Sequence, residues 1–214
     1  MSPAVETEDA TREVVRTYDR IAPLYDILDG IYERTWKSRL RRELFEHALP
    51  GRLLDAGCGT GCNMAFYPPG AEATGVDSSR EMLARARRRA DELHLSVRLE
   101  PMNLLRLDLP EAHFDTVACT FVLLCLPDRL IPGALAELIR VCRPGGRVLL
   151  LDYHQSSRSG MRTWMRIMSP WLRRIFAGRY DVDLERHVAQ SGLRVLQRRT
   201  YGADAVTMIV AERV

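Results

Sequence analysis

An open α/β fold, with a parallel sheet covered by helices on both faces, is what this sequence of 214 residues predicts. Three observations carry that expectation. Short apolar runs alternate with helix-period segments from residue 52 to residue 153, the pattern of strands joined by crossover helices. The runs are rich in leucine, valine and alanine, as strands buried on both faces require. The first run opens into a glycine turn, LLDAGCGTGCN at residues 53–63, where the backbone can approach a ligand closely.

A chain of this length is expected to form one domain and to bury a core without disulfides or metals. A hydrophobic share of 46% and a charged share of 28% are those of a soluble globular protein. The first residues, MSPAVETEDATREVV, lack the basic and apolar regions of a signal peptide. The longest apolar stretch, Thr116 to Leu126, is too short for a bilayer and reads as a buried strand running into a loop. Five scattered cysteines fit a reducing cytosol better than a disulfide framework. Cys58 and Cys62 could suggest a metal, but the glycine turn accounts for both and no second pair follows, so none is expected. A net charge of +3 says little about partners.

Taken in order, residues 8–48 read as helices interrupted at Pro23. Trp36, Leu40, Leu44 and Ala48 recur at four-residue spacing and give one apolar stripe, which Pro50-Gly51 ends. Residues 52–57 form a strand, 60–67 a short helix stopped by Pro68-Pro69-Gly70, and 72–77 a second strand. Ser78 or Ser79 can cap a helix over 80–93 whose inward residues are Met82, Leu83, Ala86, Ala90 and Leu93. Strands follow at 96–101 and 114–121, a helix at 130–142 closed by RPGG, and a fifth strand at 147–153. A helix at 183–192 precedes two runs joined through Gly202-Ala203-Asp204, which predict an antiparallel pair.

In an open parallel sheet ligands sit at the carboxyl ends of the strands, where strand order reverses. The glycine turn occupies that point. Asp77 ends the second strand twenty residues after Gly57 and can accept both hydroxyls of a ribose. A dinucleotide fingerprint would need glycine where Cys62 stands, and a Walker loop would need a lysine that this region lacks. Adenosine without a phosphate cradle is what these residues specify.

That combination resembles the class I S-adenosylmethionine-dependent methyltransferases. LLDAGCGTG is similar to their glycine motif, GVDSSREML (75–83) to their acidic loop, NLLRLDLPEAHFDTV (103–117) to the segment between strands three and four, and VCRPGGRVLLLD (141–152) to the turn before strand five. The resemblance implies a Rossmann-like, seven-stranded sheet whose last pair is antiparallel. It implies S-adenosylmethionine as cofactor, held by Asp55, Gly57, Cys58 and Gly59, with Asp77 on the ribose and Ser78 against the adenine. Asn103 stands where the family usually has an acid on the adenine amino group, and its amide oxygen can accept the same bond. The Leu104 N–H would meet the ring, and the Thr120 carbonyl the methionine part.

The acceptor must be read from the rest of the chain. TYDRIAPLYDILDGIYERTWK (17–37) is similar to the N-terminal lid of two groups, the bacterial phosphatidylethanolamine N-methyltransferases and the ubiquinone and menaquinone C-methyltransferases. Residues 1–50 would form that lid and 51–214 the catalytic domain. Tyr18 and Tyr25 either pack the lid or also contact the acceptor. His154, just past the fifth strand, is a further candidate, for structure or for head-group contact. Residues 158–179 form a basic amphipathic insertion: six arginines, and no acid between Asp152 and Asp181. Arg162, Trp164, Arg166, Trp171, Arg173 and Arg174 are the expected lipid contacts. The other readings are that the apolar side packs on the domain, or that the arginines meet nucleic acid, for which no accompanying motif is present. The expectation is a cytoplasmic, peripherally membrane-associated enzyme that N-methylates phosphatidylethanolamine or a similar lipid-like acceptor, with a quinone precursor, a soluble metabolite and a non-catalytic scaffold as alternatives.

Overall fold

The leucines of the first strand set the layers of the molecule. In the computed structural model, which describes residues 36–176, 178 and 182–214, β1 (Arg52–Ala56) lies inside a seven-stranded sheet of order β3-β2-β1-β4-β5-β7-β6. Its neighbours are β2 (Glu72–Asp77) and β4 (Phe114–Thr120), both parallel to it. β3 (Val97–Pro101) and β5 (Cys142–Tyr153) extend the parallel set, while β7 (Val206–Glu212) runs antiparallel to β5 and to the edge strand β6 (Arg194–Tyr201).

Alternation along the strands splits the core in two. Leu54, Val117, Val148 and Leu150 point to one face, where α3 (Ile131–Val141) covers them with Ile131, Leu135 and Leu138. Leu53, Ala118, Leu149 and Leu151 point to the other, where α1 (Ser38–Phe45) contributes Leu40, Leu44 and Phe45. α2 (Arg80–Glu92) packs Leu83, Ala86 and Ala90 beside the glycine turn, and Ser79 caps it by accepting the Met82 N–H at 3.1 Å. α4 (Ser159–Phe176) and α5 (Leu184–Gln190) follow β5.

Three expectations are corrected. Residues 60–67 are turns with a single 3-10 turn at Met64–Phe66 rather than a helix. Gly61 has φ +80 and cannot continue a right-handed helix there. Leu93 is 39% exposed at the end of α2 instead of facing inward. β5 begins at Cys142 and runs through the RPGG segment expected as a turn. Pairing decides that start: Cys142 lies opposite Phe114, with a register shift before Arg147, and the Gly145 N–H donates to the Arg213 carbonyl at 2.8 Å.

Candidate functional site

Strand order reverses between β1 and β4, and a cleft opens at their carboxyl ends. It holds about 970 Å³ of empty space when the open mouth is counted. Gly57, Cys58, Gly59, Asp77, Ser78, Asn103, Leu104 and Thr120, all expected from the sequence, line it together.

The glycine turn is built for close approach. Gly57 has φ +76, and a Cβ there would lie 2.4 Å from Val122 Cγ2. Gly59, at φ +53, has nothing within 4 Å of the corresponding point. The N–H groups of Gly57 and Cys58 both donate to the Val76 carbonyl, at 2.8 and 3.0 Å, which fastens the turn to the end of β2. Asp77 completes the junction. One carboxylate oxygen accepts the Gly59 N–H at 2.9 Å and the other the Ser79 N–H at 2.9 Å. Each oxygen keeps acceptor capacity for a ligand hydroxyl.

At the next wall, Asn103 Oδ1 accepts the Leu105 N–H at 2.9 Å, so the amide stiffens its own loop as well as lining the cleft. Met102, Leu104, Cys125 and Leu126 make this wall apolar, a surface for a flat heteroaromatic ring. Burial pushes the Cys58 thiol well up, so it lines the cleft as a neutral group.

The opposite end is polar and is not legible in the sequence. Arg41 of α1 lines the cleft while only 6% exposed. Its Nη1 donates to Asn63 Oδ1 at 2.5 Å and to Thr120 Oγ1 at 2.6 Å. The guanidinium stands 5.1 Å from the Phe121 ring centroid, and Lys37 Nζ stands 4.9 Å from it. Phe121 itself takes a left-handed backbone, φ 57, a strained state for a non-glycine residue beside a site. Asp55, expected on the cofactor, stands behind the cleft rather than in its wall. It is fully buried, accepting Asn63 Nδ2 at 2.8 Å and the Tyr67 hydroxyl at 2.7 Å. Burial pushes its carboxyl up to about 6, against the lowering effect of those two bonds.

His154 is half-buried at the carboxyl end of β5 and is not among the residues lining the cleft. Its N–H donates to the Ala205 carbonyl at 3.0 Å. Nearby, Asp204 accepts the hydroxyls of Ser156 and Ser157 and the Ser157 N–H, which ties the start of α4 to the β6–β7 turn. On α4, Met165 is buried, whereas Trp164 is 55% and Ile167 71% exposed, beside exposed Arg162 and Arg166. Tyr18 and Tyr25 lie outside the described residues, as do the side chains of Trp171, Arg173 and Arg174.

Among the described residues lining the cleft, Asp77 is the only anion and Arg41 the only cation. A ligand with vicinal hydroxyls in its middle, an aromatic ring at one end and a carboxylate at the other matches that arrangement. S-adenosylmethionine has those groups, and the lining fits it: an apolar ring wall, a carboxylate facing the sugar and a guanidinium at the far end.

Comparison with known proteins agrees with the geometry. The methyltransferase domain family matches residues 53–146. A phosphatidylethanolamine N-methyltransferase of Cereibacter sphaeroides is 30% identical over 187 residues, 86% of this chain and 89% of that protein. Demethylmenaquinone methyltransferases are also similar. The one from Thermus thermophilus is 33% identical over 76% of this chain and 78% of its own length. That of Deinococcus radiodurans is 35% identical over 71% of this chain, which spans 64% of that relative. Among solved structures, the geranyl diphosphate C-methyltransferase of Streptomyces coelicolor, in complex with S-adenosylhomocysteine, superposes with a TM-score of 0.68 at 19% identity, covering 83% of this chain and 79% of that one. The [4+2]-cyclase SpnF does so equally, with a TM-score of 0.68 over 82% and 81%. Likeness at that level of identity concerns the fold, which hosts more than one chemistry.

Proposed function

The chain belongs to the class I S-adenosylmethionine-dependent methyltransferases, and on that premise we propose that it N-methylates phosphatidylethanolamine, or a closely similar amine lipid, at a membrane surface. The observation that carries the lipid reading is the outer face of α4. Met165 turns inward, so the exposed Trp164 and Ile167 beside Arg162 and Arg166 are not used for packing on the domain. Large apolar side chains among arginines suit the boundary between head groups and acyl chains. Among the described residues no helix is long and apolar enough to cross a membrane, so contact would be peripheral. The phosphatidylethanolamine enzyme matches over a larger share of both chains than the two demethylmenaquinone enzymes do, which supports the amine lipid.

The cofactor, when bound, supplies an activated methyl group on a sulfonium. The chain's own residues have the tasks of alignment and water exclusion. Asp77 accepts the ribose hydroxyls, the turn at Gly57 and Gly59 gives the cofactor backbone access, and Arg41 holds the carboxylate of the methionine part. Tyr25 contacts the reacting nitrogen through its hydroxyl and ring, with Tyr18 and His154 orienting the head group. Residues 1–50 act as the lid over this pocket.

Two experiments test the reading. Enzyme incubated with labelled cofactor and phosphatidylethanolamine vesicles is expected to give products with one, two or three added methyls by mass. Methylation of a quinol precursor but of no amine lipid would overturn the amine-lipid reading. Vesicles containing anionic lipid are expected to capture the protein and salt to release it. Arg162→Gln and Arg166→Gln should each weaken capture about fivefold, with cofactor affinity unchanged. Equal capture by neutral and anionic vesicles would mean that the arginines do not meet lipid.

A further inference from the structure

At the polar end of the cleft a single amide side chain bridges a buried carboxylate and a buried guanidinium. Asn63, 2% exposed, is that bridge. Its Nδ2 donates to Asp55 Oδ1 at 2.8 Å, and its Oδ1 accepts Arg41 Nη1 at 2.5 Å. The orientation of the amide is fixed by chemistry: an ionised carboxylate only accepts and a guanidinium only donates. Thr120 closes the ring, its hydroxyl accepting from Arg41 at 2.6 Å and donating to Asn63 Oδ1 at 3.2 Å.

We infer that Asn63 is a positioning residue which keeps Arg41 turned to the cleft, by standing between its guanidinium and the Asp55 carboxylate. The inference rests on the assignment of Arg41 to the carboxylate of the cofactor. The amide carries a donor for Asp55 and, on a separate atom, an acceptor for Arg41, so one short side chain spans both partners. An aspartate there would set two carboxylates against each other, and an apolar residue would leave both partners without these bonds. With the amide removed, the attraction between opposite charges in a water-poor interior draws Arg41 onto Asp55. The cleft lining then loses its cation.

The test compares two ligands by titration calorimetry. S-adenosylhomocysteine carries the carboxylate, whereas 5′-methylthioadenosine keeps the adenine, ribose and sulfur and lacks the amino acid part. Asn63→Ala is expected to weaken the first on the order of tenfold to a hundredfold and to leave the second within about twofold, as for a contact not made. Adding Asp55→Asn removes the competing charge and should restore most of the lost affinity. If Asn63→Ala does not fold, Asn63→Ser, which keeps a donor for Asp55 and falls short of Arg41, is read the same way. Equal loss for both ligands, or loss for neither, would overturn the positioning role. Wild-type protein that binds neither ligand would overturn the cofactor assignment itself and this inference with it.

Discussion

Asp77→Ala is expected to weaken S-adenosylhomocysteine binding by about a hundredfold, close to 3 kcal/mol. Two losses add. The ribose hydroxyls lose a charged acceptor, worth about 1.5–3 kcal/mol. The N–H groups of Gly59 and Ser79 lose the partner that holds the glycine turn against the start of α2, so binding must also order that turn. Asp77→Asn is no milder. Each carboxylate oxygen accepts a backbone N–H, so an amide in either orientation sets its NH2 against a donor. Titration calorimetry on folded protein reads both variants, and unchanged affinity for either would remove Asp77 from the site.

Why Asp77 is legible in the sequence and Arg41 is not is a matter of range. Asp77 ends an apolar strand twenty residues after Gly57, and the topology of an open sheet carries that spacing directly to the cleft. The glycine turn, Asn103 and Thr120 follow in the same way, each at the carboxyl end of a strand or just beyond it. Arg41 instead belongs to an arginine-rich helix where it stands among Arg39 and Arg42. Leu40 and Leu44 mark the stripe that packs on the sheet, whereas Arg41 meets Asn63, Thr120 and Phe121, which come from two distant elements. Asn63 offers a weak cue, an amide between the last glycine and an apolar turn. The segment at 60–67 reads as helical because most of its residues tolerate a helix, while the left-handed backbone at Gly61 decides otherwise. The place of Asp55 in the glycine motif points to the cofactor. It stands instead beneath the pocket as the acceptor for Asn63 and Tyr67.

Stability in the absence of cofactor is expected to fall as pH rises from about 4 to 7, because two buried carboxyls hold their protons too long. Burial pushes Asp152 up to about 7, outweighing backbone N–H bonds that include Leu124 at 3.1 Å and Tyr153 at 2.8 Å. Burial pushes Asp55 to about 6. The unfolded chain ionises both near the ordinary value of 3.8. Below that value both states are protonated and nothing is lost. Above it the unfolded state gives up its protons first, so the folded state loses ground until its own groups ionise, Asp55 before Asp152. At about 1.4 kcal/mol for each tenfold change in proton affinity, the loss is on the order of 3 kcal/mol from Asp55 and 4 kcal/mol from Asp152. Solvent-facing carboxylates held below their usual range, such as Asp115 and Asp128, act in the opposite sense, but they titrate at lower pH and are screened by water. Denaturant unfolding at pH 4, 5, 6 and 7 reads the slope. Asp55→Asn separates the two sources, since its amide can accept from Asn63 and donate to the Tyr67 oxygen, keeping both contacts without the charge. That variant should lose its share of the slope below about pH 6 and retain the part due to Asp152. A stability that is flat or rising across this range would show that neither carboxyl is held protonated by its burial.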